Sequence, residues 1–145
     1  MGEKEMTAEF ELPWPPSVNH YYRHVGPRVL ISRDGRKYRE IVATIAQQSG
    51  AKRIEGPIAM CGEFYPPDRR RRDLDNVGGK ALIDALQCAG LFQDDSQIKR
   101  IHLEMHEPVE NGLCVVKIES MENAENQNEL RNMRKGDLSV AVSAP

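Results

Sequence analysis

No apolar run in this 145-residue chain approaches the roughly 20 residues a membrane-spanning helix needs. The opening Met1-Gly2-Glu3-Lys4-Glu5-Met6 lacks the basic-then-apolar order of a signal peptide. Met6 also stands where a myristoylation motif has Ser or Thr. Cysteine is scarce: Cys61, Cys88 and Cys114 form no Cys-x-x-Cys pair, which sets aside a disulfide framework and fits a reduced, cytoplasmic setting. Each lies in an apolar run, so core packing is the expected role of all three. A net charge of −2 gives no excess of either sign, so any nucleic-acid binding must come from local patches.

What is present suits one soluble domain with a core: 39% hydrophobic and 29% charged residues, in a chain too short for two comfortable domains. After a short mobile lead-in over 1–7, alternation of Glu9, Phe10, Glu11 and Leu12 predicts a half-buried strand, ended by Pro13, Pro15 and Pro16. His20–His24 and Arg28–Ile31 around Gly26-Pro27 predict a hairpin. Ser32 caps a helix from about Arg33 to Gln48, with Tyr38, Ile41, Val42, Ile45 and Ala46 at helical spacing and Gly50 as the stop. Its opposite face carries Arg36, Lys37, Arg39 and Glu40, either a solvated surface or a DNA-facing one.

Ile58–Tyr65 reads as a strand in the sheet's interior. Asn76–Ala89 reads as a second helix, capped by Asp75 or Asn76, with Val77, Ala81, Ala85 and Cys88 or Ala89 in one stripe and Leu82 and Leu86 beside it. Gln97–Met105 alternates cleanly, and Leu113–Ser120 is expected to pair back on it as a hairpin. From Met121 the apolar periodicity fades, so 1–121 reads as the folded domain and 122–145 as a mostly disordered tail with one helical turn near Leu130. The order predicts an α/β (α+β) fold, a small mixed β-sheet with two helices packed on one face.

Chemistry concentrates between Tyr65 and Asp95. Arg69, Arg70, Arg71 and Arg72 run together and are followed by Asp73-Leu74-Asp75-Asn76. Four adjacent arginines repel one another, and a bound polyanion relieves that repulsion; the plainer reading is a surface loop paired to acids. Asp73 and Asp75 point the same way if the segment is extended. Should Asp94 and Asp95 arrive beside them, the converging carboxylates need a cation, and oxygen-only ligands select Mg²⁺ or Mn²⁺. Here the plainer reading is that Asp73 and Asp75 pair with the arginines and cap the helix.

Lys80 lies one turn in and could reach a phosphate, or pair with Asp84. Gly78-Gly79 is costly inside a helix, and either close approach of DNA or an irregular first turn explains it. His102, Glu104 and His106 share a strand face, a wet sheet surface or a zinc chelate lacking a fourth ligand. His20, Tyr21, Tyr22 and His24 could stack on exposed bases or pack in the core.

Three runs together carry a resemblance. These are Leu12-Pro13-Trp14-Pro15-Pro16-Ser17-Val18-Asn19-His20-Tyr21-Tyr22-Arg23-His24, then Pro67 through Asn76, then Lys80 through Leu86 followed by Gly90 through Gln97. In order and spacing, residues 9–120 resemble the RusA family of Holliday junction resolvases.

The resemblance implies a homodimeric, Mg²⁺-dependent endonuclease of bacteria, phages or prophages that resolves four-way DNA junctions by paired symmetric nicks. It places the acidic site on Asp73, Asp75 and Asp95 with Asp94 adjacent, the essential lysine on Lys80 and the motif asparagine on Asn76. The arginine run, Arg36 and Lys37 would hold DNA. Between Asn76 and Lys80 this chain is one residue longer than the family pattern, so either the helix starts after a glycine loop or Lys80 is displaced. Two other functions stay open: a flap or fork nuclease using the same site, and a junction-binding protein that no longer cuts.

Overall fold

A computed structural model describes residues 7–143, with side chains given for 7–76 and 79–135. The lead-in expected over 1–7 lies, apart from Thr7, outside the described residues. The elements are β1 (Thr7–Leu12), α1 (Val18–Tyr21), β2 (Tyr22–Val25), β3 (Arg28–Ile31), α2 (Arg33–Ser49) and β4 (Ile58–Tyr65). They continue with α3 (Leu74–Gly78), α4 (Lys80–Cys88), β5 (Ile98–Met105), β6 (Leu113–Ser120) and α5 (Met121–Ser143).

Alternation builds the sheet. Ala8, Phe10 and Leu12 of β1 point inward with Cys114, Val116 and Ile118 of β6 and Ile58, Met60 and Phe64 of β4. Tyr38, Val42 and Ala46 of α2 and Leu82, Ala85 and Leu86 of α4 cover that face, as expected of two helices on one side of a mixed sheet. Burying each large aliphatic or phenylalanine side chain among them stabilises the fold by roughly 1.5–3 kcal/mol, so this layer holds the molecule together. The cap of α2 is made as its sequence predicts: the Gly35 N–H donates to Ser32 Oγ at 3.0 Å. At its other end Gly50 takes φ 72°, a conformation few other residues adopt cheaply.

The strand order is β1-β6-β4-β5, with β4 and β5 parallel and the other neighbours antiparallel. The expected hairpin between Gln97–Met105 and Leu113–Ser120 is therefore not formed, because β4 lies between them. β4 is apolar on both faces over Ile58–Met60 and takes the interior, whereas β5, with Lys99, Arg100, His102 and Glu104 exposed, suits an edge. A register shift places Ala59 opposite Arg100 and leaves Lys99 unpaired. That bulge lets both Ile98 and Leu103 pack on the core, which strict alternation forbids.

Over the stretch expected to be a mostly disordered tail, helix α5 spans Met121–Ser143, and residues 144–145 lie outside the described ones. Its start is tied down. The Met121 N–H donates to Pro57 O at 2.8 Å, the Asn123 N–H to Ser120 Oγ at 3.2 Å, and Asn123 Nδ2 to Thr7 Oγ1 at 2.7 Å. Ala124 is buried, but residues 125–135 are exposed all round, so the helix needs no apolar stripe and its sequence shows none. Two cysteines are likewise reassigned: Cys114 is buried, whereas Cys61 and Cys88 are exposed.

Candidate active site and nucleic-acid interface

The segment linking β4 to β5 carries the predicted site. Its helix begins earlier than expected, at Leu74, with Asp73 in the cap position and making no side-chain cap bond. Asp75 is thus in the first turn of α3, not in an extended stretch, and neither it nor Asn76 caps the helix. Gly79 interrupts the helix and α4 restarts at Lys80, the irregular turn that the Gly78-Gly79 pair allowed. A Cβ on Gly79 would meet only Asp75 O, at 3.8 Å, so packing does not require the glycine.

Asp73, Asp75, Asp94 and Asp95 are all exposed. Among the described residues none of them is ion-paired to an arginine, so the expected neutralisation of Asp73 and Asp75 by the basic run is not what the structure shows. They divide between two depressions. Asp73 and Asn76 line one with Trp14, Ser17, Arg71 and Arg72. Asp95 lines the other with Lys80, Tyr22, Asp84 and Ile101. The three carboxylates Asp73, Asp75 and Asp95 are not drawn within 4.8 Å of one another. Oxygen donors without cationic partners nevertheless have the chemistry a hard divalent ion selects.

Asp94 and Asp95 have separate roles in their turn. Asp94 Oδ1 accepts the Ser96 N–H at 3.3 Å, while Gln97 Oε1 accepts the N–H groups of Gln93 and Asp94 at 2.9 and 3.0 Å. The backbone N–H of Ser96 is the main cause holding the Asp94 carboxyl below the usual range. Gln97 Nε2 also donates to Ile54 O and Gly56 O, fastening the turn to the loop before β4. Asp94 is a capping residue that presents Asp95.

The arginine run splits as well. Arg72 is only 19% exposed and bonds Asp68 Oδ1 at 2.8 Å, with its guanidinium 5.5 Å from the Trp14 ring centroid. It braces the loop. Arg69 and Arg70 make long contacts to Glu107 (3.6 Å) and Asp68 (3.8 Å) but remain largely exposed, as does Arg71. On α2, Lys37 is exposed, and Arg36 donates to Ile31 O at 3.0 Å while its side chain stays at the surface.

Asp84 is what the sequence did not reveal. It is absent from the ion pair with Lys80 that spacing allows, and accepts instead from Arg39, whose Nε and Nη2 both lie 2.7 Å away, and from the Tyr21 hydroxyl. Tyr21 is fully buried; burial first, and then the Asp84 bond, raise its phenol pKa far above the ordinary value. Of the four candidate stacking residues, Tyr21 is thus core, Tyr22 is half-buried, and His20 and His24 are exposed. Lys80, released from Asp84, places its Nζ 5.9 Å from the Tyr22 ring centroid.

On the far face of the sheet, Glu63, Glu104 and His106 bring ligand atoms within 4.8 Å of one another, the described group whose donors are near enough for a divalent ion. His106 Nε2 lies 3.6 Å from Glu63 and 3.4 Å from Glu104, and its ring stacks on Tyr65 at 4.7 Å. His102 pairs separately with Glu104 at 3.3 Å. Of the expected trio His102, Glu104 and His106, the strands keep two and add Glu63 by cross-strand register.

Comparison with known proteins follows these residues. A family described as Endodeoxyribonuclease RusA matches residues 13–119, from the loop after β1 to the end of β6. The chain is 47% identical over 93 residues, 63% of its own length and 77% of the relative's, to the crossover junction endodeoxyribonuclease of Enterobacteria phage 82. It is 45% identical over the same shares to the enzymes of that name from Escherichia coli K12 and Shigella sonnei. Among the described residues no helix is long and apolar enough to cross a membrane.

Proposed function

The chain belongs to the RusA family of endodeoxyribonucleases, and on that premise we propose that it resolves four-way DNA junctions by paired symmetric nicks, hydrolysing phosphodiester bonds with Mg²⁺ in recombination and repair. The observation that carries this reading is the set of exposed carboxylates, Asp73, Asp75 and Asp95, without cationic partners, beside exposed arginines and Lys80. Asp73, Asp75 and Asp95 would hold the ion, with Mn²⁺ as a substitute. A bound Mg²⁺ supplies a lowered pKa for its water and neutralises charge on the phosphate.

The protein's own groups do the rest. Arg69, Arg70 and Arg71 attract the backbone and set the arm directions, Asn76 offers an amide beside Asp73, and Lys80 meets the charge that builds on the scissile phosphate. Asp94 keeps Asp95 in place. The break at Gly79 leaves Lys80 at the same depression as Asp95, which favours a cutting enzyme over a binding protein that has lost its chemistry. A homodimer suits a junction of near two-fold symmetry that needs two matched cuts. The setting is the bacterial cytoplasm, with a phage or prophage gene as source, and residues 1–121 form the nuclease unit.

The test is cleavage of a synthetic four-way junction in Mg²⁺ and in EDTA by wild type, Asp75→Asn and Glu104→Gln, beside matched flap and linear substrates. Symmetric nicks that need Mg²⁺ and Asp75, but not Glu104, support the reading. Preference for flaps moves the role to branched-DNA trimming, and tight binding without cutting in either Mg²⁺ or Mn²⁺ overturns the enzyme.

A further inference from the structure

The β2–β3 ribbon carries side chains that neither the fold nor the proposed chemistry uses. Register sets Arg23 against Leu30 and Val25 against Arg28, so these four share one face, with Tyr22, His24, Val29 and Ile31 on the other. Neither face is covered: Val25, Val29 and Leu30 are 44%, 58% and 46% exposed. A lone two-stranded ribbon is marginal in water, and aliphatic side chains on both of its faces cost solubility.

Its base, in contrast, is fixed. The Ser32 N–H donates to Tyr21 O at 2.9 Å, and Tyr21 is itself held by Asp84 and Arg39. Gly35, in the first turn of α2, has no Cβ where one would lie 2.5 Å from Tyr21 O and 2.8 Å from Ile31 Cγ2. The helix thereby lets both strands sit directly on it. The ribbon is fastened at one end and bare at the other.

Two observations say what covers it. The segment Tyr22–Ile31 contains Arg23, His24 and Arg28 and no acidic residue, which matches a polyanion. It also continues from the candidate active site, because Tyr22 lines the depression that holds Lys80 and Asp95. A strand whose phosphate reaches Lys80 therefore has its flanking nucleotides next to the ribbon.

Aliphatic groups gain little against the phosphates of an intact duplex but do gain against base faces opened at a branch point. Resting on the junction reading above, we propose that the β2–β3 ribbon is a branch-reading arm: Arg23 and Arg28 meet phosphates, and Val25, Val29 and Leu30 pack on unstacked bases. The arm selects branched over linear DNA and takes no part in the bond-breaking step.

Fluorescence anisotropy in EDTA, with a four-way junction and a linear duplex of the same sequence, tests this on two variants. Val25→Ser/Val29→Ser/Leu30→Ser should weaken junction binding about tenfold and duplex binding less than about twofold. Arg23→Gln/Arg28→Gln should weaken both and lower the salt slope by about two. Melting and size-exclusion profiles should match wild type. Independently of any loss of stability, a photo-crosslinking Val29→benzoylphenylalanine protein should label nucleotides at the branch point.

Unchanged junction affinity in the serine variant, or crosslinks confined to the arms' ends, overturns the proposal. So does loss of self-association, which would make the ribbon a contact between copies. Wild type that fails to prefer junctions defeats the parent reading; wild type that prefers them, with variants equally selective, defeats only the arm.

Discussion

Asp84 and the group Asp73, Asp75 and Asp95 come from one short stretch and carry the same functional group, yet the fold treats them oppositely. Asp84 sits against a buried phenol and a guanidinium that donates twice, and its Oδ2 accepts all of these bonds. The other three are exposed and, among the described residues, form no ion pair with a cationic side chain. A carboxylate whose partners are built in stabilises the native state. Carboxylates left without built-in partners are available to an ion or substrate that supplies the missing charge. Partnering, not residue type, separates the structural acid from the candidate functional ones.

The contrast can be broken by experiment. Asp75→Asn should lower junction cleavage by about 1,000-fold, roughly 4 kcal/mol of transition-state stabilisation, with an unchanged melting temperature. Loss of folding instead would place Asp75 with Asp84. Lys80→Ala should reduce kcat by about 100-fold in single-turnover assays while junction affinity is kept.

Asp84→Ala should do the reverse, costing about 2 kcal/mol in denaturant unfolding, with activity lost only in proportion to the unfolded fraction. That figure sits below the range for a fully buried pair because Arg39 and Asp84 are about 30% exposed. A double-mutant cycle with Arg39→Ala should show strong non-additivity. Gly35→Ala should cost about 1–2 kcal/mol through the clash with Tyr21 O and Ile31.

The smallest effect sharpens the comparison within the acidic turn. The Asp94 carboxyl is held below its ordinary pKa, so its contribution is fully present above about pH 4 and is lost as pH falls through its own lowered value. Asp94→Asn should therefore lower the melting temperature slightly at neutral pH, and the difference from wild type should close toward acid.

Much of this was legible from local pattern. The interior place of Ile58–Tyr65, the cap at Ser32, the stop at Gly50 and the two-helix layer follow from periods and caps that act over a few residues. The missing parts depend on distant residues. Tyr21 meets Asp84 across 63 positions and Arg39 meets it across 45, and no spacing rule encodes such a pair. Inserting β4 between β5 and β6 is a competition among strands, settled by which one is apolar on both faces. Within the site, the carboxylates could be named from the motif, but the division of Arg72 from its neighbours required knowing that Trp14 lies beneath it.

That tryptophan has a practical consequence. It is the chain's single indole, set edge-on to Phe64 at 6.0 Å and capped by Arg72 in the wall it shares with Asp73. Its emission is thus an intrinsic, label-free optical reporter, sited beside the acidic group without touching it. Titrating a divalent ion or a DNA branch while recording its wavelength and quenching would report directly on binding beside Arg72 and Asp73.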